Sequence, residues 1–593
     1  MPGMKKSKKV IVLGIDGFDP KILESMMGAG KLPHFSRLAA TGDYSPLETI
    51  IPPQSPVVWT TIATGQTPAV HGIHDFLTRD HGDYLPKLAI LKEGKLGYVR
   101  PFKTKPFWET ASEQGQRCTI LRWPLTFPAR PINGTILTGL GTPDIRGTLG
   151  RYTFFTTTSG RESSKGRVVK VDVAQHRIRT DLTGPYSLSF KGKKESSIPL
   201  EILIEAEGHI TCRMENTEFS LREGTWSDWI RVSFKVGFAR HVSGICKFYL
   251  ESVSPDFKLY VTPINITNDC TSLAVTYPLH YGKKLSESIG PFATLGLTED
   301  ANGLNDEMIG EQAFLSGCDQ IMAEREKIFF HELARFEGGI LANVFDTTDR
   351  VQHMFWRHLD AAHPLYRAPE AREFAGVIPG YYQRMDRILG RVLEGLDQDT
   401  LVIVCSDHGF TSFRQSVHLN SWLVQHGFMA LKDGKTAGGE LFSDVDWSRT
   451  SAFAFGLNSL CLNIKNRERS GVLEAGQVPD LKAELALRLK ALTDEGRPVV
   501  QEVYDQSGPA GPGAEGQAPD LIIGYTGEYR SSWQTAVGEA PGGPVIEANL
   551  KKWSGDHCCD PRFVPGIFLT NARNLIKSPH VKDICPAILD YLL

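Results

Sequence analysis

The run Val10-Ile11-Val12-Leu13-Gly14-Ile15-Asp16 decides how the rest of the chain reads. Six apolar residues follow the basic run Lys5-Lys6-Ser7-Lys8-Lys9 and stop at a carboxylate. A secretory h-region needs a longer apolar stretch, so a first β-strand is the better reading. Two further apolar runs end the same way: Ile340–Phe345 leads into Asp346 and Asp349, and Thr400–Cys405 into Asp407-His408. Open parallel sheets bind their ligands along the edge where strands end. A single strand ending in Asp is commonly a helix cap. Three such strands, two also carrying His, are not explained by caps.

Around these strands the first 150 residues alternate strand and helix. Pro20–Met27 and His34–Thr41 read as helices, and Thr119–Arg122 and Thr135–Thr138 as strands. Such alternation predicts an α/β fold, a mostly parallel sheet flanked by helices. From about Arg151 helical periodicity disappears. Short β-prone runs replace it, as in Ile202–Ile204, Trp229–Phe234 and Lys247–Glu251, which predicts an inserted all-β domain. Helices return at Asn305–Phe336, with a long one at Gly380–Leu396. Ser507–Ala518, rich in Gly, Pro and Ala, reads as a surface loop. Strands resume at Asp520–Tyr525 and Gly566–Thr570. The expected organisation is an α/β core over residues 1–150 and 286–593, interrupted by a β-rich domain over 151–285.

Composition narrows the function classes. With 65 Lys+Arg against 68 Asp+Glu the net charge is -3 over 593 residues, which gives no electrostatic reason to expect a nucleic-acid polymer as partner. No stretch approaches the roughly 18–20 apolar residues of a membrane span. The ten Cys are dispersed apart from Cys558-Cys559 and form no metal knuckle. Reduced thiols and a cytoplasmic location are the expectation.

The spacing Asp349-x-x-x-His353 places two donors one turn apart on one helix face, from which a Zn²⁺ ion can be held. Asp407-His408 suits ligation where a strand gives way to a loop, and Gly409 marks that turn. His557, in the polar turn Trp553-Ser554-Gly555-Asp556-His557, joins them if the loop returns to the same sheet edge. Ser55 before Pro56 and an apolar run reads as a helix N-cap with Pro at the first helical position. A hydroxyl there lies at the positive end of the helix dipole, and a divalent cation beside it would favour its deprotonation. Asp16, Asp349 and Asp407 supply three negative charges, while His353, His408 and His557 bind neutral. Two divalent cations would leave one positive charge for an alkoxide. Arg350, between two of these donors, is expected to point away from the Asp349/His353 face. His418 reads as a helix cap, and His71-Gly72 as a turn.

Taken in order, Ile15-Asp16-Gly17, Ser55 ahead of Thr64-Gly65-x-x-Pro68-x-x-His71-Gly72-Ile73, Asp349-x-x-x-His353, Ser406-Asp407-His408-Gly409 and Gly555-x-His557 resemble the alkaline phosphatase superfamily. The set is most similar to its type I phosphodiesterase/nucleotide pyrophosphatase branch. The resemblance implies an alkaline-phosphatase-like core and one metal on Asp16, Asp407, His408 and the Ser55 oxygen. It implies a second metal on Asp349, His353 and His557, with Zn²⁺ the first choice and Mn²⁺ the other. It also implies hydrolysis of a small phosphate ester through a phosphoseryl intermediate on Ser55. The branch usually carries Thr followed by Phe-Pro-Asn where this chain has Ser55-Pro56-Val57-Val58, so the Asn that helps hold a phosphoryl oxygen is missing there. Trp59 in place of a sulfatase-type Arg sets the chain apart from sulfatases. The alternatives are phosphoryl transfer to an alcohol, as in a mutase of the same superfamily, and a non-catalytic binding protein with a vestigial metal site.

Overall fold

The structure is a computed structural model that describes residues 8–95, 97–189, 192–237, 240–397, 399–506 and 518–593. The loop expected at Ser507–Ala518 therefore lies, save for Ala518, outside the described residues, as do Lys5, Lys6 and Ser7. The chain divides into two compact units, Met1–Thr119 with Glu337–Leu593, and Ile120–Phe336.

The main sheet of the first unit includes β1 (Lys9–Ile15), β2 (Asp43–Leu47), β3 (Gly339–Phe345), β4 (Thr400–Cys405) and β5 (Gly566–Thr570), in spatial order β2-β5-β4-β1-β3. β3 and β4 are buried throughout, and β1 along all but its first residue, as strands covered on both faces must be. β1 runs parallel to both neighbours, with Ile15 opposite Phe345 and Gly14 opposite Cys405. That register brings the three carboxyl ends side by side, so Asp16, the Asp346–Asp349 turn and Asp407-His408 leave the sheet along one edge. β5 pairs antiparallel with β4, and β2 with β5. The sheet is thus parallel at its centre and antiparallel toward β2.

Helix α1 (Ser55–Thr64) has all ten residues buried. It ends at Gly65, whose φ of 66° is a left-handed C-cap. Helix α2 (Thr347–Phe355) starts two residues after β3. The helix expected at Gly380–Leu396 spans Val377–Glu394 and buries Tyr381, Tyr382, Met385, Ile388 and Leu389 on one face. One strand joins a different sheet from the α/β one expected: Leu521–Tyr525 lies with Ala452–Phe455, Ser459–Leu462 and Val500–Asp505 in a separate antiparallel sheet. That sheet has its own core, including Phe453, Leu460, Leu485 and Ile523. An apolar run identifies a strand but not its partner.

In the second unit, residues 153–266 form sheets of five, four and three strands. Their core includes Phe155, Ile178, Leu200, Ile210, Phe234 and Phe248. Ile230–Lys235 alternates buried and exposed residues, the signature of a strand with one wet face. The expected helical stretch after it contains the 23-residue helix Glu311–Leu333. Among the described residues no helix is long and apolar enough to cross a membrane.

Candidate metal centre

All seven residues singled out in the sequence lie in the first unit, and the structure brings them together at the sheet edge. Asp16, Ser55, Asp349, His353, Asp407, His408 and His557 are all buried. Asp349, His353 and His557 present ligand atoms within 4.8 Å of one another, as do Asp16, Asp349 and His408. Asp407 Oδ2 stands 3.1 Å from His408 Nε2, and Ser55 Oγ stands 3.3 Å from both Asp16 Oδ1 and His408 Nε2.

Each imidazole is oriented in the same way. Nδ1 of His353 donates to Gly555 O at 2.6 Å, Nδ1 of His557 to Pro53 O at 2.6 Å, and Nδ1 of His408 to Gly409 O at 3.0 Å. A carbonyl can only accept, so Nδ1 carries the proton and Nε2 presents its lone pair inward. Those lone pairs face carboxylates: His353 Nε2 is 3.2 Å and His557 Nε2 3.7 Å from Asp349 Oδ1. Lone pairs facing carboxylates repel unless a cation lies between them.

Among the described residues, buried Asp349 Oδ1 and Asp407 Oδ2 have no hydrogen-bond donor. Burial, then the charges of Asp407 and Asp349, push the Asp16 carboxyl well above its ordinary range. Burial works against a charged His408, but Asp407, Asp349 and the Gly409 carbonyl together outweigh it and the imidazole's pKa is raised. Both shifts report a concentrated negative field. Burial, with His408 beside it, drives His557 well below its ordinary value, keeping it neutral as a ligand must be. Burial also opposes ionisation of Asp349, yet positive charge beside it, that of His353 when its ring is protonated and that of Arg350, holds its carboxyl far below the usual range. This donor set fits divalent cations held by mixed imidazole and carboxylate ligands.

A third grouping, Asp556, His557 and Cys558, is compact but spent. Asp556 Oδ1 accepts from the backbone N–H of His557 and Cys558, and Oδ2 from Trp553 Nε1 at 2.8 Å. Arg530 Nε lies 3.0 Å from the same Oδ2, and burial pushes the Cys558 thiol well up.

Three expectations are corrected in detail. Ser55 is the first residue of α1, with Gln54 at the cap. Arg350 does not point away: its long side chain curls back and places Nη1 3.2 Å from Asp349 Oδ2. Helix spacing sets the direction of Cβ, not of a guanidinium four bonds further on. His418 stands at the cap position without capping, and its ring meets Ser532 Oγ and Glu547 Oε2. His71-Gly72 is the expected turn, with Gly72 at φ 83°.

Several supporting residues carried no periodic signal in the sequence. Trp59 Nε1 donates to Asp16 Oδ2 at 2.9 Å, and Thr348 Oγ1 to Asp16 O at 2.6 Å. Gln54, just ahead of the serine, donates Nε2 to Asp75 Oδ2 and to Asn458 Oδ1. Asn458 in turn donates to Cys558 O, next to His557. Trp59 and Trp553 each stand within four residues of a recognised ligand, and that nearness was the available cue.

The type I phosphodiesterase/nucleotide pyrophosphatase family matches the chain over residues 10–198 and 314–532. His557 lies beyond the matched segments, so its place in the cluster rests on the geometry above. Among curated proteins nothing matches the chain. Solved structures that align with it include phosphonoacetate hydrolase from Sinorhizobium meliloti 1021 in complex with phosphonoacetate, at TM-score 0.44 and 12% identity over 99% of this chain and 96% of that one. The same enzyme with phosphonoformate aligns at 0.42 and 13%, covering 99% and 97%. Murine ectonucleotide pyrophosphatase/phosphodiesterase 5 aligns at 0.40 and 11%, covering 99% and 95%.

Proposed function

The chain belongs to the type I phosphodiesterase/nucleotide pyrophosphatase family, and from that premise we propose that it is a metal-dependent hydrolase of phosphoric esters with Ser55 as nucleophile. One observation carries this reading: three inward-facing imidazole nitrogens and three carboxylates converge beside a single buried hydroxyl. Asp16, Asp407, His408 and Ser55 would hold one divalent cation, and Asp349, His353 and His557 a second. The imidazole and carboxylate donors suit Zn²⁺, with Mn²⁺ the other candidate. When bound, such ions supply charge neutralisation at the phosphoryl and leaving oxygens and lower the pKa of coordinated hydroxyls.

The chain's own part begins with Ser55. Its Oγ sits in the first turn of α1, where the helix dipole favours developing negative charge. Its hydroxyl lies 3.3 Å from Asp16 Oδ1 and from His408 Nε2, and its proton goes to solvent, so that Oγ attacks as an alkoxide beside three ionised carboxylates. The Oγ–P bond forms, the bond from phosphorus to the ester oxygen breaks, and the alcohol leaves with a proton taken from solvent. Water then attacks the phosphoserine, returning the Ser55 hydroxyl and releasing phosphate or a monoester. The Nδ1 tethers keep all three imidazoles aimed inward throughout, which is the pre-organisation such chemistry needs. Ten cysteines, all free thiols, suit a reducing compartment such as the cytoplasm.

Purified protein loaded with Zn²⁺ or Mn²⁺ should hydrolyse aryl phosphate or aryl phosphodiester, hold close to two metals per chain, and lose turnover on Ser55→Ala. Full turnover by Ser55→Ala would remove the nucleophile. Added alcohols that capture the phosphoryl group as the main product would shift the reading to a transferase.

A further inference from the structure

Arg350 is a cation inside a cluster that the metal-ligand reading does not use. Its Nη1 lies 3.2 Å from Asp349 Oδ2, and Asp349 is the donor shared by both groups, with His353 and His557 in one and Asp16 and His408 in the other. Arg350 therefore stands beside the residue the two proposed metal positions share. Its side chain is 11% exposed, against 2% for Asp349, so it stands where the cluster meets solvent. The guanidinium carbon is 5.9 Å from the Trp553 ring, which bounds its other side. A guanidinium carries five N–H donors in a fixed fork, and among the described residues Arg350 commits one edge of it to the ion pair with Asp349.

Resting on the ester-hydrolase reading above, we propose that Arg350 is the recognition arm for the charged non-bridging oxygens of the substrate, and that it selects dianionic phosphoryl groups, as in phosphomonoesters, over monoanionic diesters. Three carboxylates and a Ser55 alkoxide balance two divalent cations, so the Arg350 guanidinium adds a net positive charge to this ligand set. A site with a net positive charge attracts a dianion more than a monoanion. The positions after the nucleophile cannot share the task. Pro56, Val57 and Val58 carry no polar side chain, Pro56 lacks a backbone N–H, and the N–H groups of Val57 and Val58 donate to Gln54 O. A fork of parallel donors matches two oxygens of one phosphoryl group, which a lysine ammonium cannot do.

The test compares wild type, Arg350→Ala and Arg350→Lys, each with full metal content verified. The readouts are kcat/KM on an aryl phosphate and on a methyl aryl phosphodiester, and calorimetric binding of inorganic phosphate. Arg350→Ala should lower kcat/KM on the monoester about a hundredfold, as losing a charge-assisted pair does. The loss on the diester should be at least about tenfold smaller, with Arg350→Lys between the two and phosphate binding weakened in step. Equal losses on both esters, unchanged phosphate binding, or a loss that follows metal content would overturn the proposal. If wild type cleaves neither ester, the hydrolase reading fails by itself. Weakened phosphate binding by Arg350→Ala at full metal content would then still support Arg350 as the anion-recognition residue, and unchanged binding would overturn that too.

Discussion

Trp553 lies face to face on His353, with ring centroids 3.7 Å apart and planes 27° from parallel. The same indole donates Nε1 to Asp556 Oδ2, and Asp556 holds the backbone of His557. One aromatic side chain therefore spans two proposed ligands of one metal.

Trp553→Ala should weaken binding of the metal on the His353 side by about 10–100-fold, the usual cost of removing a group that orients a ligand. Trp553→Phe keeps the stacking face and loses only the N–H, so it should recover part of that affinity. Titration of apoprotein with Zn²⁺ against a competing chelator measures both. An affinity untouched by either change would show that His353 is held without the indole.

Asp556→Asn should destabilise the fold by about 3–5 kcal/mol, because it leaves the buried Arg530 guanidinium without its counter-charge. Arg530 lies 3.9 Å over Trp533 and 4.9 Å over Phe413, contacts that do not replace an anion. Chemical denaturation read by tryptophan fluorescence would report the loss.

Gly14→Ala should cost about 1–3 kcal/mol through overpacking. A Cβ there would stand 2.6 Å from Trp59 Cη2 and 2.9 Å from Val344 Cγ2. Trp59 would have to move, and with it the hydrogen bond to Asp16. A reduced Tm together with weakened metal binding is the expected pair of readings.

Acid stability should depend on Glu468. Burial alone would raise its pKa, yet contacts with His81, Arg79 and Arg467 hold it at about 2, below the ordinary 4.5 of a glutamate. A depressed folded value means the stabilisation is complete above about pH 4.5 and fades as pH falls toward 2. The difference amounts to about 3 kcal/mol. Glu468→Gln should flatten the pH dependence of stability across that window while lowering stability at neutral pH. Denaturation midpoints at several pH values from 2 to 7 would decide it.

Stripping the metals should lower Tm, since it removes ligands that bind only the folded chain and leaves Asp16, Asp349 and Asp407 to repel. Saturating Zn²⁺ at about 100 times its Kd should restore about 3 kcal/mol per site. A Tm indifferent to chelator would count against a structural stake in the metals.

Much of this centre is legible in the amino-acid sequence. Strand ends at Asp16, Phe345 and Cys405 could be read because buried strands are continuous apolar runs and ligands are chemically distinctive residue types. Asp349 and His353 could be paired because a helix repeats every 3.6 residues. These are local properties, written within a few positions of each other. Contacts between distant segments leave no such periodic trace. His557 Nδ1 meets Pro53 O across 504 positions, and nothing in either stretch announces the other. Only the packed chain decides that Leu521–Tyr525 leaves the main sheet, that Trp553 lies on His353, and that Arg350 turns inward. Residue chemistry and backbone period are carried by the chain itself, whereas the direction of a long side chain and the partner of a strand are chosen by whatever the rest of the fold packs against them.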